Sequence, residues 1–321
     1  MRYVLIGTGS ISNTYVAALS GLEGSKLVAC VSRSGRRPSA APGIECCRSL
    51  DAVAAPFDAV IITTPNGLHQ DGALAAARLG KHVLTEKPLA ITRPAMSAMI
   101  EACARAGVTL AVAFQHRTHP DVLALKRLLE AGALGRIYAA DLSCKFWRDQ
   151  AYYDSAPYRG GLDIDGGGPF MQQACHNIDL YQWFFGLPDE LVAHRATFAH
   201  RIEAEDHGAV LLRHANGMIG TIVASTAARP GLPARLEVVC EKGIVVTLDD
   251  RIVNWDIDGV ANPGQGAAIA AAPNVATLGD SARHQAILRD FEAAVRDGRA
   301  PLADAESARR TVELILRIYG R

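Results

Sequence analysis

Met1-Arg2-Tyr3-Val4-Leu5-Ile6-Gly7-Thr8-Gly9-Ser10-Ile11-Ser12 opens the chain. A short β-rich apolar run, Tyr3–Ile6, meets two glycines one residue apart, and an alanine- and leucine-rich stretch with helical spacing follows. Strand, glycine turn and helix form the setting in which a G-x-G-x-x-G/A fingerprint holds a dinucleotide. Gly7 permits the tight turn, and Gly9 lets the backbone approach a pyrophosphate. The phosphates would then rest on the helix N-terminus at Ser10 and Ile11. Ser12 takes the third fingerprint position and is small enough for close helix–strand packing. A plain strand-to-helix turn is the alternative, and the placement between a strand and a helix favours the nucleotide.

The same alternation continues to about residue 118. Strand-like runs at Leu27–Val31, Ala59–Thr63, His82–Leu84 and Thr109–Ala113 are separated by helical stretches, two of them closed by Gly80 and Gly107. Glycine is favoured at the left-handed position that ends a helix. Such alternation predicts a parallel sheet with helices on both faces. At roughly 150 residues per domain, a chain of 321 residues holds about two domains. The pattern changes after residue 118: Pro120 opens a helix to about Glu130, and Ile137–Phe146 reads as a strand. Residues 147–168 read as a long polar, aromatic and glycine-rich loop, of the kind that usually carries function. A helix over Pro169–Phe185 and a β-rich stretch from Leu191 to Ile257 follow. Asn216-Gly217 and Lys242-Gly243 there signal hairpins and hence an antiparallel sheet. Residues 261–279 read as a loop. Helices at about 281–297 and 304–319 close the chain, the last with Asp304 as N-cap.

Composition narrows the function class. Thirty-three basic residues balance thirty-three acidic ones, and the densest basic cluster, Arg33, Arg36 and Arg37, is too short to track a nucleic-acid backbone. No apolar run reaches the ~18 residues of a membrane span, and the N-terminus lacks the apolar core of a signal peptide. Seven cysteines without C-x-x-C spacing read as reduced thiols of a cytoplasmic protein. The expected partner is therefore a small molecule, with neither nucleic acid nor membrane nor metal involved.

Residues after each strand define the candidate site, because open α/β sheets bind ligands beyond the carboxyl ends of their strands. Val31-Ser32-Arg33-Ser34 carries no carboxylate for a ribose 2′-hydroxyl. Ser32 and Arg33 instead suit a 2′-phosphate, which predicts NADP over NAD; the alternative is a solvated loop. Thr64, Pro65, Asn66 and His69 follow one strand, and Glu86-Lys87-Pro88 follows the next. A lysine beside a nicotinamide can move the proton of an alcohol/carbonyl pair once its pKa falls toward neutrality. Its alternative is a surface lysine paired with Glu86.

These segments together resemble one family. The G-x-G-x-x-S turn, T-P-N-x-x-H, Glu86-Lys87-Pro88, and Gly166-Gly167-Gly168 followed by His176-Asn177-Ile178-Asp179 are similar to the Gfo/Idh/MocA oxidoreductases. The resemblance spans nearly the whole chain in the right order. It implies a Rossmann domain over residues 1–118 and, over 119–321, an α/β domain with a large, open, mostly antiparallel sheet. It also implies a catalytic lysine at Lys87, a catalytic histidine at His176, and pairing into a homodimer or homotetramer through the open sheet face. Val210, Leu212, Ile219, Thr221 and Val223 supply either that face or the core.

Gln172, His176 and Asp179 fall on one face of the predicted helix. Histidine titrates near neutrality and suits proton transfer at a substrate hydroxyl, although a helical histidine is often simply packed. Many sugar and inositol dehydrogenases of the family carry Asp where this chain has Gln172. Glutamine binds a hydroxyl but accepts no proton, which leaves Lys87 and His176 as the acid–base pair. Trp147, Arg148, Tyr152, Tyr153, Tyr158, Arg159 and Asp163 in the long loop are expected to meet substrate or else to pin the loop. Arg148 and Arg159 together suit a carboxylate or a nucleotide-sugar phosphate. Phe114-Gln115-His116-Arg117 resembles the interdomain crossover, with Arg117 structural. The expected activity is interconversion of a secondary alcohol and a ketone on a sugar, cyclitol or polyol. A redox-neutral lyase or glycosidase with a bound cofactor, and a non-catalytic NADPH sensor, are the rivals.

Overall fold

The computed structural model describes residues 1–264 and 281–321. Most of the stretch read as a loop over 261–279 lies outside the described residues. The first compact unit holds β1 (Arg2–Ile6), α1 (Ser10–Ser20), β2 (Lys26–Val31), β3 (Glu45–Cys47), β4 (Ala59–Ile62), α2 (His69–Arg78), β5 (His82–Thr85), α3 (Arg93–Arg105) and β6 (Leu110–Val112). All of its strand pairs are parallel, in the order β3-β2-β1-β4-β5-β6. This is the dinucleotide-binding order, with the direction of winding reversing between β1 and β4. β4, Ala-Val-Ile-Ile, is buried at every position, as a central parallel strand covered on both faces must be.

The second unit starts at His116. It holds α4 (Pro120–Glu130), β7 (Ile137–Lys145), α5 (Gln150–Asp154), α6 (Cys175–Phe185), β8 (Glu190–Ala196), β9 (His207–Arg213), β10 (Ile219–Ser225), β11 (Arg235–Cys240), β12 (Gly243–Leu248) and β13 (Arg251–Ile257). Its sheet runs β13-β12-β11-β7-β10-β9-β8, and only β7 and β10 pair in parallel. Asn216-Gly217 joins β9 to β10, with Gly217 in the left-handed region at φ 84°. Along β9 and β10 burial alternates, so Val210, Leu212 and Ile222 enter the core while Leu211 and Ile219 face out. The five residues considered for an open face therefore divide: Val210 and Leu212 are core, whereas Ile219, Thr221 and Val223 lie on the more open side.

The chain then returns. α7 (Ser281–Asp297) belongs to the first unit, where Ile287, Leu288 and Phe291 join Tyr3, Leu5, Tyr15 and Leu84 in one core cluster. Tyr3 also donates to Glu292 at 2.9 Å. Asp304 caps α8 (Ala305–Ile318) by accepting from Ser307 N at 2.9 Å. The residues from Arg310 onward belong to the second unit. A single boundary at 118 thus misses a return crossing, because the amphipathic pattern of α7 does not say which core it completes.

Three local expectations differ from the structure. β3 has no counterpart in the sequence reading, since three residues give no periodicity. The long loop contains α5, capped by Asp149, whose carboxylate accepts from Tyr152 N at 2.9 Å. α6 begins at Cys175 rather than Pro169; residues 169–174 form turns, held by bonds such as Ala174 N to Pro169 O at 2.8 Å. All seven cysteines are free thiols. No helix among the described residues is long and apolar enough to cross a membrane.

Candidate active site

In the first unit the predicted nucleotide residues gather at the strand ends. Gly7 sits at φ 97°, and a Cβ there would lie 2.7 Å from the Thr63 carbonyl carbon, so only glycine fits. A Cβ at Gly9 would meet nothing within 4 Å, which leaves open space before α1. No side chain caps α1 and no acidic residue occupies its first turn, so the Ser10 and Ile11 end remains available to an anion. Ser12 is fully buried and its hydroxyl donates to Gly9 O at 2.5 Å, stiffening the turn. Ser32 bonds to Thr8 at 3.3 Å and to Ser34 at 3.1 Å, while the Arg33 side chain is exposed. Thr64 Oγ1 is buried without a hydrogen-bond partner among the described residues. An orphaned hydroxyl, an open glycine and an uncapped helix end together fit a dinucleotide.

Two predicted cofactor residues are buried and bonded within the unit. His69 is fully buried, with Nδ1 2.9 Å from Pro88 O and Nε2 3.0 Å from Thr64 O. Burial lowers its pKa while the two backbone carbonyls favour its charged form, and the ring spans two strand ends. Glu86 is buried as well and accepts from the Tyr15 hydroxyl at 2.8 Å and from Lys87 N at 3.1 Å. Burial alone would raise its carboxyl, but His284, Lys87 and Tyr15 together hold it below the usual carboxylate range. Glu86 thus holds the backbone at Lys87, whose side chain is half-buried. Pro65 is half-buried and Asn66 buried in a short turn at the end of β4.

In the second unit α6 carries His176 half-buried and Asp179 fully buried. Asp179 accepts from Arg117 Nε and Nη2 at 2.7 and 2.6 Å, and from the Thr311 hydroxyl at 2.7 Å. Asp179, Arg117 and Thr311 all belong to the second unit, where the Arg117–Asp179 pair is fully buried. Gln172 lies in the turn before α6 and donates to Asp165 O at 2.6 Å, so it does not share a helical face with His176. The triple glycine packs tightly: Gly168 N donates to the Tyr319 hydroxyl at 3.1 Å, and Tyr319 donates to Glu205 at 2.7 Å.

The long loop gathers its cationic residues around one ring. The Arg159 and Arg148 guanidinium carbons lie 4.5 and 5.6 Å from the Tyr152 ring centroid. Arg159 donates to the Tyr152 hydroxyl at 2.8 Å, and Gln173 donates to it at 3.1 Å. Burial lowers the Arg148 pKa from its ordinary value, and the charge of Arg159 lowers it further, against Tyr152 and Tyr153. Arg159 Nε and Gln173 Oε1 are buried without hydrogen-bond partners among the described residues. His200 locks the Arg148 backbone, with Nε2 2.8 Å from Arg148 O and Nδ1 3.0 Å from the buried Asp206. Trp147 bridges to Ala227 near that histidine. Tyr153 is buried and bonds Thr226 at 2.7 Å, and burial pushes its hydroxyl up to about 12. Sequence reading missed Gln173, which no motif marks.

Known proteins resemble this chain along nearly its whole length. A model described as "Oxidoreductase family, NAD-binding Rossmann fold" matches residues 1–114. The GFO/IDH/MocA C-terminal domain model matches residues 122–246. The chain belongs to the Gfo/Idh/MocA oxidoreductase family. The WlbA dehydrogenase of Bordetella pertussis, solved in complex with NADH and UDP-GlcNAcA, is 30% identical with a TM-score of 0.88, covering 99% of this chain and 95% of that one. Inositol 2-dehydrogenase of Rhizobium meliloti is 29% identical over 277 residues, 82% of this chain and 81% of that protein. D-apiose dehydrogenase of Paraburkholderia graminis is 27% identical over 335 residues, 98% and 86% of the two chains. The protein is accordingly an NAD(P)-dependent dehydrogenase or reductase, in which a nicotinamide would supply or accept a hydride when bound.

Proposed function

We propose that this enzyme interconverts a secondary alcohol and a ketone on a sugar that carries an anionic group, either a carboxylate or a nucleotide phosphate. The observation that carries the anionic part is the Arg148–Tyr152–Arg159–Gln173 cluster, where two guanidiniums share one ring and two buried polar atoms await partners. Guanidinium forks suit carboxylate and phosphate, and their charge-assisted bonds are about twice as strong as neutral ones. WlbA, bound to UDP-GlcNAcA, supports a charged sugar, while the inositol and apiose dehydrogenases support the wider polyol class. Lys87 and His176 manage the hydroxyl proton, and Trp147 and Gln172 contribute to holding the sugar. Ser32 and Arg33, with no carboxylate at the end of β2, favour NADP over NAD. The more open face of the second sheet, with Ile219 and Leu211 outward, supports a homodimer or homotetramer.

The test is steady-state turnover of UDP-GlcNAcA and of myo-inositol, followed by nicotinamide absorbance. Losing one charged hydrogen bond costs roughly 1.5–3 kcal/mol, so Arg159→Ala should raise the KM for UDP-GlcNAcA about 10- to 100-fold. The KM for a neutral polyol should stay the same. An unchanged KM for the charged sugar removes the anionic reading.

A further inference from the structure

A two-residue turn, Asp249-Asp250, joins β12 to β13, and both residues have left-handed backbones at φ 42° and 74°. Hairpin turns with two positive φ angles favour Asn-Gly or Asp-Gly. A non-glycine residue in that region is strained, and the strain persists only where the surroundings hold it. Asp249 has a local reason: its carboxylate accepts from Ala234 N at 2.9 Å and its own N–H donates to Ala234 O at 2.9 Å. Asp250 reaches a different partner. Its side chain is 1% exposed, and its two oxygens lie 3.0 and 2.9 Å from His116 Nδ1. The β12–β13 register also shifts between Val246 and Thr247, just before the turn. Bulges of this sort re-aim side chains beside active sites.

His116 leads from this buried carboxylate to the candidate catalytic histidine. Its ring lies parallel to that of His176, with centroids 4.5 Å apart and planes 6° from coplanar. We propose that Asp250 and His116 are positioning residues for the reaction. The carboxylate accepts the Nδ1 proton of His116, which sets that ring's tautomer and plane. The flat face of His116 then fixes the plane of His176, because rotation of either ring would drive its edge into the other. His176 is held in one orientation before substrate arrives. This inference rests on the reading of His176 as the group that moves the hydroxyl proton.

The test has a readout that needs no substrate. Histidine NMR of protein carrying isotopically labelled imidazoles follows His176 among the ten histidines, assigned by its loss in His176→Asn. Asp250→Ala should broaden or split the His176 signal, while Asp250→Asn, which keeps an acceptor oxygen, should leave one sharp signal. In turnover of UDP-GlcNAcA, Asp250→Ala and His116→Leu should lower kcat about tenfold or more with KM changed less than about twofold, as expected when a reacting group is misaligned. His116→Phe, which restores a flat face, should recover at least half of that loss on a logarithmic scale. A His176 signal unmoved by Asp250→Ala overturns the proposal, and so does a His116→Leu enzyme as fast as the parent. Activity lost only in step with melting temperature overturns it too, since that marks simple packing. If His176→Asn retains turnover, the catalytic reading of His176 fails and this inference falls with it. If only UDP-GlcNAcA fails as substrate, the NMR arm still decides.

Discussion

At the residue scale, a side chain's chemistry matters less than what it is packed against. Glu86 and Lys87 are neighbours in sequence, yet Glu86 is buried against Tyr15 and the Lys87 side chain is half-buried. Arg33 is the residue that would read a 2′-phosphate. Arg33→Ala should weaken NADPH binding about tenfold, the worth of one charged hydrogen bond, and leave NADH binding unchanged; a fluorescence titration with each reports it. Arg117 and Asp179 are both fully buried and paired. Removing one partner strands the other charge, so Asp179→Ala should lose roughly 3–5 kcal/mol of stability in urea unfolding. The motif residues were legible because their spacing is local. Tyr153 was not, because its burial depends on Thr226, 73 positions away. The burial of His69 was not legible for the same reason, its partner Pro88 lying 19 residues on.

Elements follow their local signals where those signals are strong. Parallel strands read as continuous apolar runs, Asn216-Gly217 made its hairpin, and Pro120 and Asp304 opened their helices as expected. The start of α6 was misplaced because apolar spacing continues back through residues whose backbone is bound into turns by Gly168 and Pro169. That turn region is held from the chain's far end. Gly167 sits at φ 153°, and a Cβ there would run into the Tyr319 hydroxyl. Gly167→Ala should therefore cost about 1–3 kcal/mol, seen as a lower melting temperature. A melting curve identical to the parent's would mean that Tyr319 yields freely.

At the scale of the whole molecule, the chain builds one unit, then the second, and then contributes to both again. The alternation of strands and helices made the first unit's fold legible, but nothing local marks where α7 returns. The second sheet leaves Ile219 54% and Val192 61% exposed on β10 and β8. If that side pairs two subunits, Ile219→Arg should shift the particle toward monomer in light scattering without unfolding it; an unchanged mass places the interface elsewhere. The family supplies the reaction class, and the residues of this chain supply its particulars. The most direct test is hydride transfer by wild-type enzyme and by Lys87→Met. Purified protein is mixed with NAD(P)⁺ and UDP-GlcNAcA, and reduced nicotinamide is followed alongside cofactor affinity. The account predicts rapid reduction by the wild type, and almost none by Lys87→Met at nearly unchanged cofactor affinity. Equal rates for the two proteins would contradict it.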